Sequence, residues 1–251
     1  MATEENNYLF GLLGKNISYS FSRGYFSEKF ELLKLVNHKY VNFDIQDISE
    51  LKTVLKENEP SLKGMNVTIP YKETVFQYLD KVDKKARQIG AVNTIKFTKK
   101  GKLIGYNTDF YGFKNSIKPL LKTHHKKALI LGTGGASKAI AYALKKLNIE
   151  YKFVSRSGDG ETILSYNDLN EKIITEYNIL INCTPLGTHP NTDQSPNIPY
   201  EFISNKHLLY DLIYNPSETL FLSKGKQQGA AIKNGLEMLE LQAEKAWEIW
   251  Q

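Results

Sequence analysis

The stretch from Lys127 to Ser137 constrains the fold of this chain more than any other. It reads Lys-Ala-Leu-Ile-Leu-Gly132-Thr-Gly134-Gly135-Ala136-Ser137, an apolar strand running directly into a glycine-rich turn. Beyond it, Ala139, Ile140, Ala143, Leu144 and Leu147 keep a helical period. Strand, glycine turn and helix in that order belong to a parallel sheet with helices on its faces, and to a dinucleotide site at the turn. Gly132 allows the tight turn and Gly134 lets the backbone approach a pyrophosphate. The free N–H groups opening the helix, at Gly135 and Ala136, bind that anion. Ser137 stands where the usual fingerprint has Gly or Ala, a departure, though it is small enough for close helix–strand packing.

The next strand, 151–155, decides which dinucleotide. In folds that take NAD this strand ends in Asp or Glu, which grips the ribose 2′-hydroxyl. Here it ends in Ser155-Arg156-Ser157, with no carboxylate at the tip. A guanidinium pairs with a 2′-phosphate that a carboxylate would repel. The predicted cofactor is therefore NADP(H).

Strand-like and helix-like runs alternate almost throughout the 251 residues, enough chain for two modest α/β domains. Strands are expected at 8–13, 39–44, 65–69, 92–97, 103–106, 128–131, 151–155, 179–182 and 208–212. A helix is expected through Leu32, Leu33, Leu35 and Val36, with Ser20 or Ser22 capping its start. Lys99-Lys100-Gly101, between two strand patterns, reads as a hairpin and the one clear antiparallel element. Residues 236–250 place Leu236, Leu239, Ala243, Ala246 and Trp250 on one side, and a helix with such a face must dock somewhere. A domain boundary is expected a little before the polar stretch 123–127, and a second near the glycines at 229–235.

Hydrophobic residues are 41% and charged residues 24% of the chain, ordinary globular usage that argues against disorder or a fibrous repeat. No apolar run approaches the roughly 18 residues of a membrane span, and Glu4 and Glu5 stand where a secretion leader wants Lys or Arg. A cytoplasmic protein without membrane association is expected. Cys183 is alone, and the five histidines show no ligand spacing, so neither a disulfide nor a metal is expected. The net charge of +6 is scattered in pairs such as Lys84-Lys85, Lys126-Lys127 and Lys145-Lys146. No basic stripe interleaved with aromatics suggests nucleic acid; the charge implies a mild field that attracts small anions.

Four polar clusters fall at predicted strand ends outside the nucleotide segment: Ser20-Phe-Ser22, Asn66-Val-Thr68-Ile-Pro-Tyr-Lys72, Gly90-Ala-Val-Asn93-Thr94 and Asn107-Thr108-Asp109. Open α/β sheets collect ligands at the carboxyl ends of strands, so clusters distant in sequence can converge there. Taken singly, each has a plain structural reading: Ser22 and Asn107-Thr108-Asp109 as helix caps, Lys72 as a surface lysine.

Taken together, in order and spacing, they resemble the shikimate dehydrogenase family over nearly the whole chain. Asn66-Val-Thr68-x-Pro-Tyr-Lys72 is similar to the family's NVT-x-P-aromatic-K signature. The glycine loop, Asn182-x-Thr184-Pro-x-Gly187, Tyr210-Asp-x-x-Tyr214 and Gly235-x-x-Met-Leu-x-x-Gln242 follow in family order. The resemblance implies a reversible NADPH-dependent reduction of 3-dehydroshikimate to shikimate, a step toward chorismate and the aromatic amino acids. It implies an N-terminal, mainly parallel α/β substrate domain (1–108 plus 235–251) and a Rossmann-like NADP-binding domain (109–234), with the ligands in a cleft between them. The C-terminal helix would return to the first domain. Ser20, Ser22 and Tyr214 would hold the ring carboxylate, and Asn66, Thr68, Asn93 and Gln242 the ring hydroxyls. Lys72 and Asp109 would form the catalytic pair, while Asn182, Thr184, Gly187 and Gly235 border the cofactor.

Chemistry supports Lys72 independently. Hydride arriving at a carbonyl carbon leaves negative charge on oxygen, which an ammonium stabilises and protonates, while a carboxylate such as Asp109 orients the reacting hydroxyl. Which of the two moves the proton is left open. Asn16 and Arg23 replace prolines common in the family, and Thr188 a common methionine. Two other readings are weighed: a quinate/shikimate dehydrogenase of broader specificity, and a nucleotide-binding sensor without catalysis. Monomer and homodimer both suit the sequence.

Overall fold

A computed structural model describes residues 7–18, 20–159 and 162–251. Glu4 and Glu5, which carry the leader reading, lie outside the described residues. The chain divides into two compact units. One runs to Thr108 and takes in Ala243–Gln251; the other is Asp109–Gln242.

In the first unit β1 (Tyr8–Gly14), α1 (Phe21–Leu32), β2 (His38–Asp44), α2 (Leu51–Asn58) and β3 (Leu62–Val67) wind as two successive crossovers. β1 therefore lies between β2 and β3, parallel to both. After β4 (Lys81–Val82) and α3 (Lys84–Ile89), β5 (Thr94–Phe97) and β6 (Leu103–Tyr106) complete the order β2-β1-β3-β5-β6-β4. β5 and β6 form the expected hairpin, closed where Gly101 takes a φ of 71° that favours glycine. A second antiparallel pairing, β3 with β5, was not expected. The strand expected at 65–69 instead starts at Leu62 and stops at Val67, because the Tyr71 N–H donates to the Thr68 carbonyl and turns the chain.

The expected first helix is corrected. α1 buries Ser22, Phe26 and Phe30, one residue per turn, whereas Leu32, Leu33 and Val36 are exposed at or past its end. The aromatic stripe already fills the sheet face, and the chain leaves the helix at Lys34, whose φ is 56°.

The second unit holds α4 (Asp109–Ile117), β7 (Lys127–Leu131), α5 (Gly135–Lys146), β8 (Glu150–Ser155), β9 (Ile163–Ser165), α6 (Glu171–Glu176) and β10 (Ile179–Asn182). β11 (Leu208–Asp211), α7 (Leu220–Gln227), β12 (Ala231–Lys233) and α8 (Leu236–Trp250) follow. Every pairing in its sheet is parallel, in the order β12-β11-β10-β7-β8-β9. Counted from β7, that is the strand order of the doubly wound dinucleotide fold. Both faces are covered: along β7, Ala128 and Ile130 join one apolar cluster, Leu129 and Leu131 the other.

α8 is shared. Its residues to Gln242 belong to the second unit, and those from Ala243 to the first. There Ala243 and Ala246 are wholly buried, and Trp250 packs tilted against Phe10 and Phe26, ring centroids 5.1 Å and 5.3 Å away, while its indole N–H donates to the Ile95 carbonyl at 3.0 Å. Gly64 makes room for that indole; a Cβ there would overlap it. No described helix is long and apolar enough to cross a membrane.

Candidate active site

In the second unit the strand order turns between β7 and β10, and the loops leaving their carboxyl ends line the switch point. Gly132, at φ 109°, ends β7; a Cβ on it would press on Thr184 Cγ2 at 3.2 Å and the Cys183 carbonyl at 3.3 Å. The glycine loop and the loop after β10 are thus in contact. Gly134 caps α5, and a Cβ there would meet nothing within 4 Å. Packing within the protein does not require glycine at this point, so the open space suits a group from outside the chain. Gly135 and Ala136 open α5, with the unbonded N–H groups of a helix start. Ser137 is buried, and its hydroxyl donates to the Gly134 carbonyl at 2.6 Å, closing the turn in a way that Gly or Ala could not.

At the tip of β8 the Ser155 hydroxyl donates to the Ser157 carbonyl at 2.7 Å, and Arg156 and Ser157 are exposed. The next acid, Asp159, accepts N–H groups of Thr162 and Ile163 within its own turn. A dinucleotide with a 2′-phosphate fits this set: an anion-binding helix start, a clear approach at Gly134 and a guanidinium in place of an acid.

Asn182 is fully buried and all its polar valences are occupied within the protein. Its Oδ1 accepts from the Thr184 N–H at 3.0 Å and hydroxyl at 2.6 Å; its Nδ2 donates to Asp211 at 3.1 Å and to the Leu186 carbonyl at 3.4 Å. It shapes the 182–187 loop from beneath. Asp211 is the hub of this corner, accepting also from the Ile213 N–H at 3.0 Å and the Thr219 hydroxyl at 2.6 Å. None of these partners is a cation, and burial pushes its carboxyl up to about 6 against the pull of the hydrogen bonds. Burial, then the Asp211 charge, pushes the Cys183 thiol up and away from nucleophilic use. Gly187, at φ 98°, is buried. The Gly235 N–H donates to the Ile213 carbonyl at 3.0 Å, and a Cβ on Gly235 would overlap the Leu212 backbone. Tyr214, half-buried, follows that contact.

In the first unit the strand order turns between β1 and β3, and the loops after them meet: the Thr68 N–H donates to the Leu13 carbonyl at 2.9 Å. Ser20 precedes α1 without capping it, and its hydroxyl oxygen is buried without a partner, an orphan that suits an incoming anion. Ser22 is buried close to the Tyr40 phenol, which donates to Asn66 Oδ1 at 2.8 Å. Asn66 Nδ2 donates to Thr94 Oγ1 at 3.3 Å and the Asn93 carbonyl at 3.4 Å. The Asn93 side chain in turn donates to Thr108 Oγ1 at 3.0 Å and accepts the Thr108 N–H at 2.6 Å. Asn66 and Asn93 are therefore brought into one buried network, with Ser22 beside it. Thr94 and Thr108, members of the polar clusters without an assigned role, and Tyr40, which no motif contains, join them. Thr68 and Lys72 are half-buried beside it; the Lys72 carbonyl accepts the Val92 N–H at 2.8 Å.

Asp109, buried, opens α4 and is the first residue of the second unit; Gln242, also buried, is the last, its amide donating to the Leu239 carbonyl at 3.0 Å. Ser20, Ser22, Asn66, Thr68, Lys72 and Asn93 stand in the first unit, and Asp109, Tyr214 and Gln242 in the second.

Fold and site define the class: an α/β dinucleotide-binding protein with a second α/β unit carrying a buried polar network. Residues 12–95 match the family model described as the shikimate dehydrogenase substrate binding domain. A shikimate dehydrogenase (NADP(+)) of Methanococcus vannielii is 36% identical over 266 residues, covering 98% of this chain and 92% of that one. One of Methanosphaera stadtmanae is 39% identical over 257 residues, covering 96% and 90%. A crystal structure of shikimate 5-dehydrogenase from Thermus thermophilus, in complex with NADP(H) and shikimate, is similar with a TM-score of 0.85 at 31% identity, over 97% of this chain and 93% of that one. The chain belongs to the shikimate dehydrogenase family.

Proposed function

We propose that this chain catalyses the reversible NADPH-dependent reduction of 3-dehydroshikimate to shikimate. The observation that carries the reading is its likeness, over 97% of its length, to a structure that holds NADP(H) and shikimate together. The substrate domain takes in residues 1–108 and the returning segment 235–251, and the cofactor domain 109–234, although the compact units divide later in the chain, at Ala243. The protein works in the cytoplasm on a small molecule, as a monomer or homodimer.

Gly132, Gly134, Gly135, Ala136 and Ser137 hold the pyrophosphate, and Ser155, Arg156 and Ser157 the 2′-phosphate. Thr184, Gly187 and Gly235 border the cofactor, and Asn182 acts through the loop it folds. Bound NADPH supplies the hydride. The Ser20 hydroxyl, with Ser22 and Tyr214, takes the ring carboxylate; Asn66, Thr68, Asn93 and Gln242 take ring hydroxyls. As the carbonyl oxygen gains negative charge, the Lys72 ammonium stabilises it and Asp109 orients lysine and oxygen, the pair delivering the proton that makes the alcohol.

The exposed Arg156 and the lack of a carboxylate at the β8 tip disfavour NAD use. The test is absorbance at 340 nm with NADP⁺ and shikimate, repeated with quinate and with NAD⁺. Reduction of NADP⁺ by shikimate, faster than in either substitution, is the expected result. NADPH binding without turnover of either acid would make the chain a sensor, and the reading would fall.

A further inference from the structure

The polarity of the buried network is set by groups that can act in only one way. The Thr108 backbone N–H can only donate, so the Asn93 atom it meets is oxygen. The Thr94 hydroxyl donates to that same Asn93 oxygen at 3.1 Å, which leaves the Thr94 oxygen to accept from Asn66 Nδ2. The Asn93 carbonyl, which can only accept, faces the same Nδ2. On the opposite side the Tyr40 hydroxyl donates to Asn66 Oδ1 at 2.8 Å. Tyr40 is buried and stacked on Phe26 at 4.7 Å with an interplanar angle of 13°.

Both hydrogens of the Asn66 amide thus have acceptors, and its oxygen keeps one lone pair. We propose that Tyr40 and Thr94 are positioning residues that lock the Asn66 amide as a hydrogen-bond acceptor, so that the ring position it meets must carry a hydroxyl that donates. This rests on the shikimate reading above and adds to it a polarity: an oxygen or halogen that only accepts is rejected at that position. The lock needs nothing from Ser22, which stays available to a bound carboxylate, because Tyr40 donates to Asn66.

The test is steady-state kinetics on the wild type, Tyr40→Phe and Thr94→Val. Each is assayed with shikimate and with analogues in which one non-reacting ring hydroxyl is replaced by fluorine. In the wild type, one analogue should show a KM about 100-fold above that of shikimate, since a site built to bond a hydroxyl discriminates sharply. In either variant the freed amide can turn its N–H groups to the ligand. The shikimate KM should rise about 10-fold, discrimination against that analogue should fall about 10-fold, and the KM for NADP⁺ should stay within about twofold. A purely structural role would lower the melting temperature and leave this split unmoved. Should Tyr40→Phe not fold, Thr94→Val decides alone. An unaltered shikimate KM with undiminished discrimination overturns the lock while leaving the enzyme's function standing. A wild type that does not turn over shikimate removes both.

Discussion

Asp211 carries its charge in the protein interior with only neutral donors around it. Its folded-state value of about 6 lies above the ordinary 3.8, so the folded state binds the proton more tightly than the unfolded one. Stability from this group therefore declines as pH rises from about 4 to about 6, then levels, a loss on the order of 3 kcal/mol. Asp211→Asn keeps the shape without titrating. Urea unfolding at pH 4 and pH 7 should find the variant gaining on the wild type by up to that amount at the higher pH; a gap independent of pH would refute it. Arg156→Ala removes a charge-assisted contact of roughly 1.5–3 kcal/mol, so NADPH affinity should drop about 10- to 100-fold while NADH affinity barely changes. Equal losses for both would defeat the 2′-phosphate role. Lys72→Ala should cut kcat by about 10²–10⁴ with NADPH affinity kept, as measured by turnover and fluorescence titration. The proposed roles of Arg156 and Lys72 were legible, the first from its place at a strand end and the second from the family resemblance, since taken singly Lys72 reads as a surface lysine. Tyr40 and Thr94 were not: Tyr40 meets Asn66 across 26 residues, and a tyrosine on a strand looks the same whether or not its hydroxyl has such a partner.

Among the elements, the long parallel strands were readable because continuous apolar runs and a glycine turn are strong signals. β4, β9 and β12, of two or three residues, are too short to show any period, and the β3–β5 antiparallel pairing depends on which edge the chain returns to. The first helix went astray for a related reason. Leu32, Leu33 and Val36 form an apolar cluster that mimics a core face, whereas the buried stripe is Phe26 and Phe30 with the small Ser22. α8 was read correctly as a docking helix at its far end, where Trp250 closes the aromatic cluster. Trp250→Ala should cost about 3–5 kcal/mol in denaturant unfolding, through the cavity left among Phe10, Phe26 and Tyr40. A loss under about 1 kcal/mol would mean that the cluster collapses around the gap.

For the molecule as a whole, the net charge of +6 and the anionic character of both proposed ligands favour encounter at low salt. kcat/KM for shikimate should fall as ionic strength rises from about 0.01 to about 0.15 M, where the screening length shortens from about 30 to about 8 Å. Flat kinetics over that range would confine the charge to solubility. The division of the chain also sets an order of events during synthesis. The dinucleotide-binding half is one uninterrupted segment, so its two apolar layers need nothing beyond Asp109–Gln242 to assemble. The half begun first cannot finish first: its aromatic cluster waits for Ala243, Ala246 and Trp250. Until they arrive, Phe10, Phe26 and Phe30 lack their cover, and apolar surface of that kind favours aggregation of an incomplete chain.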